Sequence, residues 1–222
     1  MLSKLCVRGT HKNQCEDAVF VKETASSIWG CVCDGCSTGI NSHFASQLLC
    51  YLVKDLGVCC TTEQALMYYV LKLRTLIDSL NLTEIHLLST LIAFNYDKQE
   101  KTLTLLPIGD GVYYVNDKEY TIDQNNIPDY LAYHVKESID FKSRYPSIEY
   151  RDVDSFQICS DGIKSFTISQ FESSDKSPEL LLSVPTSENY LQRTFNILTK
   201  NKWTILDDLS IISYVNTREQ QS

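Results

Sequence analysis

Apolar residues along this chain recur in two rhythms. The stretches "SSIWGCVCD" (26–34), "DSFQICSD" (154–161) and "DLSIISYV" (208–215) each hold a short, nearly continuous apolar run with turn formers or acids at its ends, which predicts buried strands. A helical rhythm runs through "INSHFASQLLCYLVKDLG" (40–57), with Phe44, Leu48, Leu49 and Leu52 at helical spacing and a stop at Gly57. A second helix is expected from Thr61, with Gln64 three residues on as a capping box and Leu66, Tyr69, Val70, Leu73, Leu76, Ile77 and Leu80 on one face. The segment "SENYLQRTFNILTK" (187–200) predicts a further amphipathic helix. Between these, residues 86–122 read as four strands, with "YDKQEK" and "VNDKEY" supplying turn chemistry, so an antiparallel meander is expected. Residues 123–148, with prolines at 128 and 146, read as loop with one short helix, and the polar tail after Val215 is expected to fray. Strands grouped together and helices grouped apart predict an α+β fold.

Three of the apolar runs end in Asp-Gly: Asp34-Gly35, Asp110-Gly111 and Asp161-Gly162. Taken alone each has a simple explanation, because Asp-Gly is a common hairpin dipeptide, and the pair at 110–111 lies between two good strands. Glu16 and Asp17 directly precede another apolar run, however, and Asp207 and Asp208 directly precede the last strand. Acids at so many strand ends would repel one another if the fold gathered them, unless a cation neutralised them. An all-oxygen donor set without a matching group of histidines suits magnesium or manganese better than zinc. Glycine after each acid would let a backbone carbonyl approach the ion.

Composition narrows the rest. The chain has 222 residues, 43% of them hydrophobic, enough for one large domain with a sizeable core. A net charge of −8 without a basic patch disfavours nucleic acid and anionic membrane as partners. Nine cysteines is an odd count for a disulfide scaffold and fits a reducing compartment. The first residues turn polar quickly, and no run reaches the roughly 18 apolar residues of a membrane helix. The expectation is a soluble, cytoplasmic protein.

The pieces "RGTHKNQCEDAV", "VCDGCSTG" with "HFASQLL" after it, "STLIAF", "LLPIGDGVYYV", "ICSDGI" and "LDDLSII" occur in an order that resembles the metal-dependent serine/threonine protein phosphatases of type 2C, most closely their short bacterial branch. The likeness spans residues 8 to 214. It implies a four-layer αββα sandwich over residues 1–215, two antiparallel sheets face to face with helices outside, followed by a polar tail at 216–222. By the same resemblance Asp34 bridges two metal ions, Gly35 offers its carbonyl to the second, and Asp161 and Asp207 complete the first. Glu16 and Asp17 match the acidic pair that holds metal-bound waters. Asp208 falls where the family often has an Asn or Asp behind the ligands, and Asp110 matches an aspartate that helps hold a third, weaker ion.

The implied activity is hydrolysis of phosphoserine and phosphothreonine monoesters on proteins by a metal-bridging hydroxide, with two Mg2+ or Mn2+ ions as cofactors and a phosphoprotein, with a serine/threonine kinase beside it, as partners. Three positions depart from the pattern. Lys12 stands where the family has a phosphate-gripping arginine, and lysine lacks the bidentate fork. Ser165 stands where a second acid of the third-metal site is usual, which argues against a third ion. Cys36 replaces a histidine that serves some members as leaving-group acid. These losses motivate an alternative reading, a catalytically weak or silent phosphatase-like module that binds a phosphoprotein or regulates a kinase. A zinc site at Cys31, Cys33 and Cys36 with His43 is the weaker reading of the cysteines, since free cysteine is commonly a small core hydrophobe; Cys59 and Cys60 are read as structural thiols.

Overall fold

In the computed structural model the described residues are 1–57, 62–124, 127–137, 140–169 and 174–216, with Thr62 described by its backbone alone. In chain order the elements are β1 (Leu2–Val7), β2 (Asp17–Glu23), β3 (Ser27–Asp34), α1 (Ser42–Leu56), α2 (Thr62–Leu80), β4 (Leu91–Asp97), β5 (Thr102–Ile108), β6 (Gly111–Val115), β7 (Lys118–Ile122), α3 (Phe141–Arg144), β8 (Ile148–Tyr150), β9 (Ser155–Cys159), β10 (Phe166–Thr167), α4 (Tyr190–Lys200), β11 (Thr204–Ile205) and β12 (Leu209–Val215). Two antiparallel sheets carry the fold, one in the order β1-β12-β9-β6-β7 and the other in the order β2-β3-β4-β5-β8, with β10 and β11 forming a small separate ribbon.

Alternation along the strands builds the layers. Ile28 and Val32 of β3 and Ile92, Phe94 and Tyr96 of β4 point into the space between the sheets, where Phe156, Ile158, Ile212 and Tyr214 meet them from the other side. Phe94 and Phe156 pack edge to face at 5.2 Å, and Tyr96 donates its hydroxyl hydrogen to the Val153 carbonyl at 2.7 Å, so its polar end is satisfied inside the core. The opposite faces pack outward. Cys31, Cys33, Leu91, Ala93 and Leu106 meet α1, α2 and the 130–145 segment, while Leu5, Cys159, Leu209 and Ile211 meet α4 and its neighbours. The result is the expected αββα sandwich.

Several expectations are corrected. Residues 86–122 hold the four expected strands, but the first starts only at Leu91, because 84–86 form a 3-10 turn, and they are not one meander: β5 pairs with β4 and β8, whereas β6 pairs with β7 and β9. Asp110-Gly111 is therefore not a hairpin turn; the chain crosses there from one sheet to the other through Gly109, whose φ of 82° is cheap only for glycine. The buried face of α1 is Ala45, Leu49, Cys50, Leu52 and Val53, with Phe44 36% exposed at the rim. Strands β1 and β8 escaped the pattern because Ser3 and Lys4 interrupt the apolar residues of β1 and β8 is only three residues long; pairing with β12 and β5 makes them strands. The capping residue Thr61, the pair Cys59-Cys60 and the tail beyond Asn216 lie outside the described residues.

Registry brings one end of the sandwich into focus. Asp17 pairs directly with Asp34, Leu91 with Ile108, Cys159 with both Val112 and Ile211, and Val7 with Leu209. The start of β2, the end of β3, the β5-to-β6 crossing, the end of β9 and the start of β12 thus lie at the same end of the molecule. Close backbone contacts hold it. A Cβ on Gly162 would stand 1.7 Å from the Asp208 carbonyl oxygen, and one on Gly35 would stand 2.4 Å from that of Ser42. Glycine follows these two acids because other backbone passes too near, a stronger demand than access for an ion. Gly162→Ala is expected to lower Tm by roughly 10 °C or more, whereas Gly57→Ala, in open space but at φ 71°, should cost only about 3 °C. Thermal denaturation followed by circular dichroism checks the contrast.

Candidate metal centre

Antiparallel pairing of β2 with β3 sets Asp17 beside Asp34, and the carboxylate of Asp17 is 4% exposed. Its Oδ2 accepts a hydrogen bond from the Ser160 hydroxyl at 2.7 Å, while Oδ1 is buried with no hydrogen-bond partner among the described residues. Burial pushes Asp17 up to about 7, with the Ser160 hydrogen bond opposing it. Asp34 lies well above the usual carboxylate range, first through burial and then through the negative charges of Asp17, Asp161 and Asp207. Asp110 is also raised, by burial first and by Asp123 and Asp161 after it; its Oδ1 accepts from the Gln124 amide at 2.8 Å. Acids from five separate segments therefore share one field, Asp110 joining it through Asp161, and folding has concentrated negative charge in a partly desolvated place.

Glu16 and Lys12 behave differently. The Lys12 ammonium lies 2.8 Å from Glu16 Oε2 and 3.0 Å from Asp207 Oδ1, and donates to the Ser37 hydroxyl at 2.6 Å. Burial works against its charge, but the hydrogen bonds to Glu16 and Asp207 prevail and raise it above its ordinary value. Burial likewise acts to raise Glu16, yet Lys12 and the Ser42 hydroxyl, which both donate to it, hold it below its usual range. Lys12 thus reaches one acid at the end of each sheet.

Asp208, grouped with the metal-site residues on sequence grounds, spends both oxygens on backbone: Gly9 N–H donates to Oδ1 at 2.7 Å and Glu16 N–H to Oδ2 at 2.5 Å. It is a buried brace that fixes the loop carrying Lys12 and Glu16 against the start of β12. Other positioning groups gave no signal in the sequence. Ser46 donates to the Glu16 carbonyl at 2.5 Å, the Thr90 hydroxyl accepts from Asp34 N–H at 3.1 Å, and Ser160 also accepts from Ser210 N–H at 3.0 Å. Ser165 donates to the Gly162 carbonyl and accepts from Asp207 N–H, so at this position a hydroxyl ties two acid-bearing loops together. A cavity of about 340 Å³ touching Trp29, Val53 and Tyr69 lies under the helices, and none of these acids lines it.

The cysteines do not assemble as the zinc reading had them. Cys36 contacts the Thr38 hydroxyl, and His43 Nδ1 pairs with the Gln14 amide at 2.7 Å. Cys31 and Cys33 instead meet Cys50 of α1, at 3.4 and 3.7 Å, inside the core under the helices.

Among the described residues only Cys31, Cys33 and Cys50 bring three ligand atoms within 4.8 Å of one another, so the carboxylates share a field without standing in contact as a set. Their all-oxygen chemistry, a buried Asp17 oxygen with no hydrogen-bond partner among those residues, and a repulsion that a proton or a cation relieves suit a hard divalent ion. Comparison of the architecture with solved structures points the same way. A bacterial serine phosphatase superposes with a TM-score of 0.67 at 14% identity over 96% of both chains. The fold is that of the bacterial serine/threonine phosphatases of type 2C. Stp1 from Staphylococcus aureus, a serine/threonine phosphatase, matches at TM-score 0.66 and 12% identity over 97% of this chain and 94% of its own. RsbX, solved in complex with magnesium, matches at 0.59 and 14% over 95% of this chain and 92% of its own. No protein-family model matches the sequence, and no curated protein does.

The field makes a stability prediction. Because folding raises Asp17 from about 4 toward about 7, the native state binds its proton more tightly than the unfolded chain. Metal-free protein should therefore lose stability as pH rises through that window and level off above it, with a smaller loss in Asp17→Asn. Above the window, millimolar Mn2+ should raise Tm of the wild type by several degrees and leave that of Asp34→Asn unmoved. Differential scanning fluorimetry with and without chelator measures both.

Proposed function

We propose that this protein is a metal-dependent phosphatase that hydrolyses phosphoserine and phosphothreonine monoesters on proteins. The reading is supported by the strand register that sets Asp17, Asp34, Asp161 and Asp207 at one end of a type 2C sandwich, where burial and the neighbouring acids raise Asp34. Asp34, Asp161, Asp207 and the Gly35 carbonyl are the proposed holders of two Mg2+ or Mn2+ ions, with Asp110 beside them and Glu16 and Asp17 orienting bound water. When present, such ions acidify water and neutralise the phosphoryl oxygens during in-line displacement. The work of the chain's own residues is positioning. Lys12 and Ser42 hold the Glu16 carboxylate, Ser160 holds that of Asp17, and Asp208 keeps the Glu16 backbone in place. Lys12 also offers a positive charge to a phosphate, as a point charge without the guanidinium fork. The partners this implies are a phosphorylated protein and the serine/threonine kinase that supplies it, in the cytoplasm. No described helix is long and apolar enough to cross a membrane.

Lys12 also favours a second reading. An ammonium already set between Glu16 and Asp207 supplies part of the charge a metal would bring, as a weakly active or silent phosphoprotein-binding module would allow. Turnover separates the two. Manganese-dependent release of phosphate from p-nitrophenyl phosphate and a phosphothreonine peptide is expected, with Asp161→Asn reducing kcat at least about 100-fold while circular dichroism stays unchanged. Phosphopeptide binding without turnover in either metal establishes the module instead. Lys12→Arg is expected to lower KM severalfold, since a fork grips phosphate better; an unchanged or raised KM removes Lys12 from phosphate binding.

A further inference from the structure

Outside the cluster of acids, one pair of reactive side chains meets where solvent can reach it. Cys6, exposed on β1, and Cys15, half-buried just before β2, bring their sulfurs to 3.7 Å. Each sulfur also lies 3.7 Å from the Asp17 carbonyl oxygen, so the two flank the same point of backbone. Ser210 on β12 donates to Cys6 Sγ at 3.4 Å, which holds that side chain toward its partner. The two cysteines belong to different sheets. β1 is an edge of one and β2 an edge of the other, and the pair sits where these edges come together. The remaining close thiols among the described residues, Cys31, Cys33 and Cys50, are buried beneath and on the inner face of α1, away from oxidant in solution.

We propose that Cys6 and Cys15 form a site of oxidative modification, at which a hydroperoxide converts the two thiols to a disulfide. The thiolate of one cysteine attacks the peroxide O–O bond, becoming a sulfenic acid as the leaving oxygen departs as alcohol, or as water from hydrogen peroxide. The second thiol then displaces the sulfenic oxygen as water and the S–S bond forms. Two thiols lose two electrons and two protons, and one peroxide is reduced. The sulfurs need to close from 3.7 Å to about 2.05 Å, a movement within reach of side-chain rotation at an exposed strand edge.

The consequence follows from what the new bond encloses. Residues 7–14, between the cysteines, contain Gly9, anchored by Asp208, and Lys12, anchored by Glu16 and Asp207. Oxidation closes this loop at its base and fastens Lys12 over the acids. This last step rests on the phosphatase reading only for its effect on turnover; the bond and the fastened loop stand apart from it.

The experiment treats the full-length folded protein with stoichiometric hydrogen peroxide, blocks residual thiols and digests with trypsin. A mass loss of about 2 Da with peptides 5–8 and 13–22 joined is expected, reversed by dithiothreitol and absent from Cys6→Ser and from Cys15→Ser. Hydrogen exchange across residues 9–14 should slow severalfold in the oxidised wild type and not in peroxide-treated Cys6→Ser. If the protein turns over p-nitrophenyl phosphate, KM should change on oxidation of the wild type and not of Cys6→Ser. The proposal is overturned if Cys6 is recovered as a free thiol, a sulfinic acid or a bond to another cysteine, if the same link forms as fast in denaturant, or if exchange over 9–14 does not slow.

Discussion

Like charges resist being brought together, and at one end of this sandwich the backbone brings them together regardless. Asp17 and Asp34 are opposite residues of an antiparallel pair, so the register of β2 and β3 fixes their Cβ atoms side by side whatever rotamers their carboxylates adopt. Asp161 and Asp207 arrive from the other sheet and add their charges to the same field. The interior between the sheets, with its interlocked Phe94, Tyr96, Phe156 and Tyr214, supplies the apolar burial that outweighs this repulsion and fixes the separation of the two sheet ends. Under the proposed metal-dependent function, such an arrangement gives up stability at the site in exchange for attraction to a divalent cation.

Rigid support accompanies the strain. Two glycines let the loops of Asp34 and Asp161 pass against neighbouring backbone, and Asp208, although an acid in the same region, contributes by accepting two amides rather than by adding a free lone pair to the pocket. Adjacent aspartates, Asp207 and Asp208, thus do opposite jobs: one is half-exposed and faces Lys12, the other is buried and knits the loop 9–16 to β12. Serine hydroxyls at 42, 46, 160 and 165 meet much of the hydrogen-bonding demand around the acids, leaving Asp17 Oδ1 without a partner among the described residues. With Lys12 between Glu16 and Asp207, the site carries a partial internal counter-charge, and the position of that lysine governs how much of the field an incoming cation or phosphate meets.

The loop that bears Lys12 is therefore where three readings of the protein meet. It starts at the edge of one sheet, ends at the edge of the other, and is tied down by Asp208 in the middle and by two neighbouring thiols at its base. Under the proposed oxidation, chemistry at those thiols would reach the acids through backbone rather than by contact, because both sulfurs lie against the Asp17 carbonyl.

By itself the sequence determined the element types, the stop of α1 at Gly57 and the identity of the acids at strand ends, because these rest on local periodicity, turn chemistry and the oddity of a carboxylate closing an apolar run. The order of motifs further implied the αββα sandwich. Tertiary structure alone decided that 86–122 divides between two sheets, that thin strands such as β1 and β8 exist at all, that Asp208 braces backbone, and that Cys15 meets Cys6 while Cys31 and Cys33 meet Cys50. These depend on which segments far apart in the chain become neighbours, and an isolated strand or carboxylate carries no local mark of the partner that packing will bring to it.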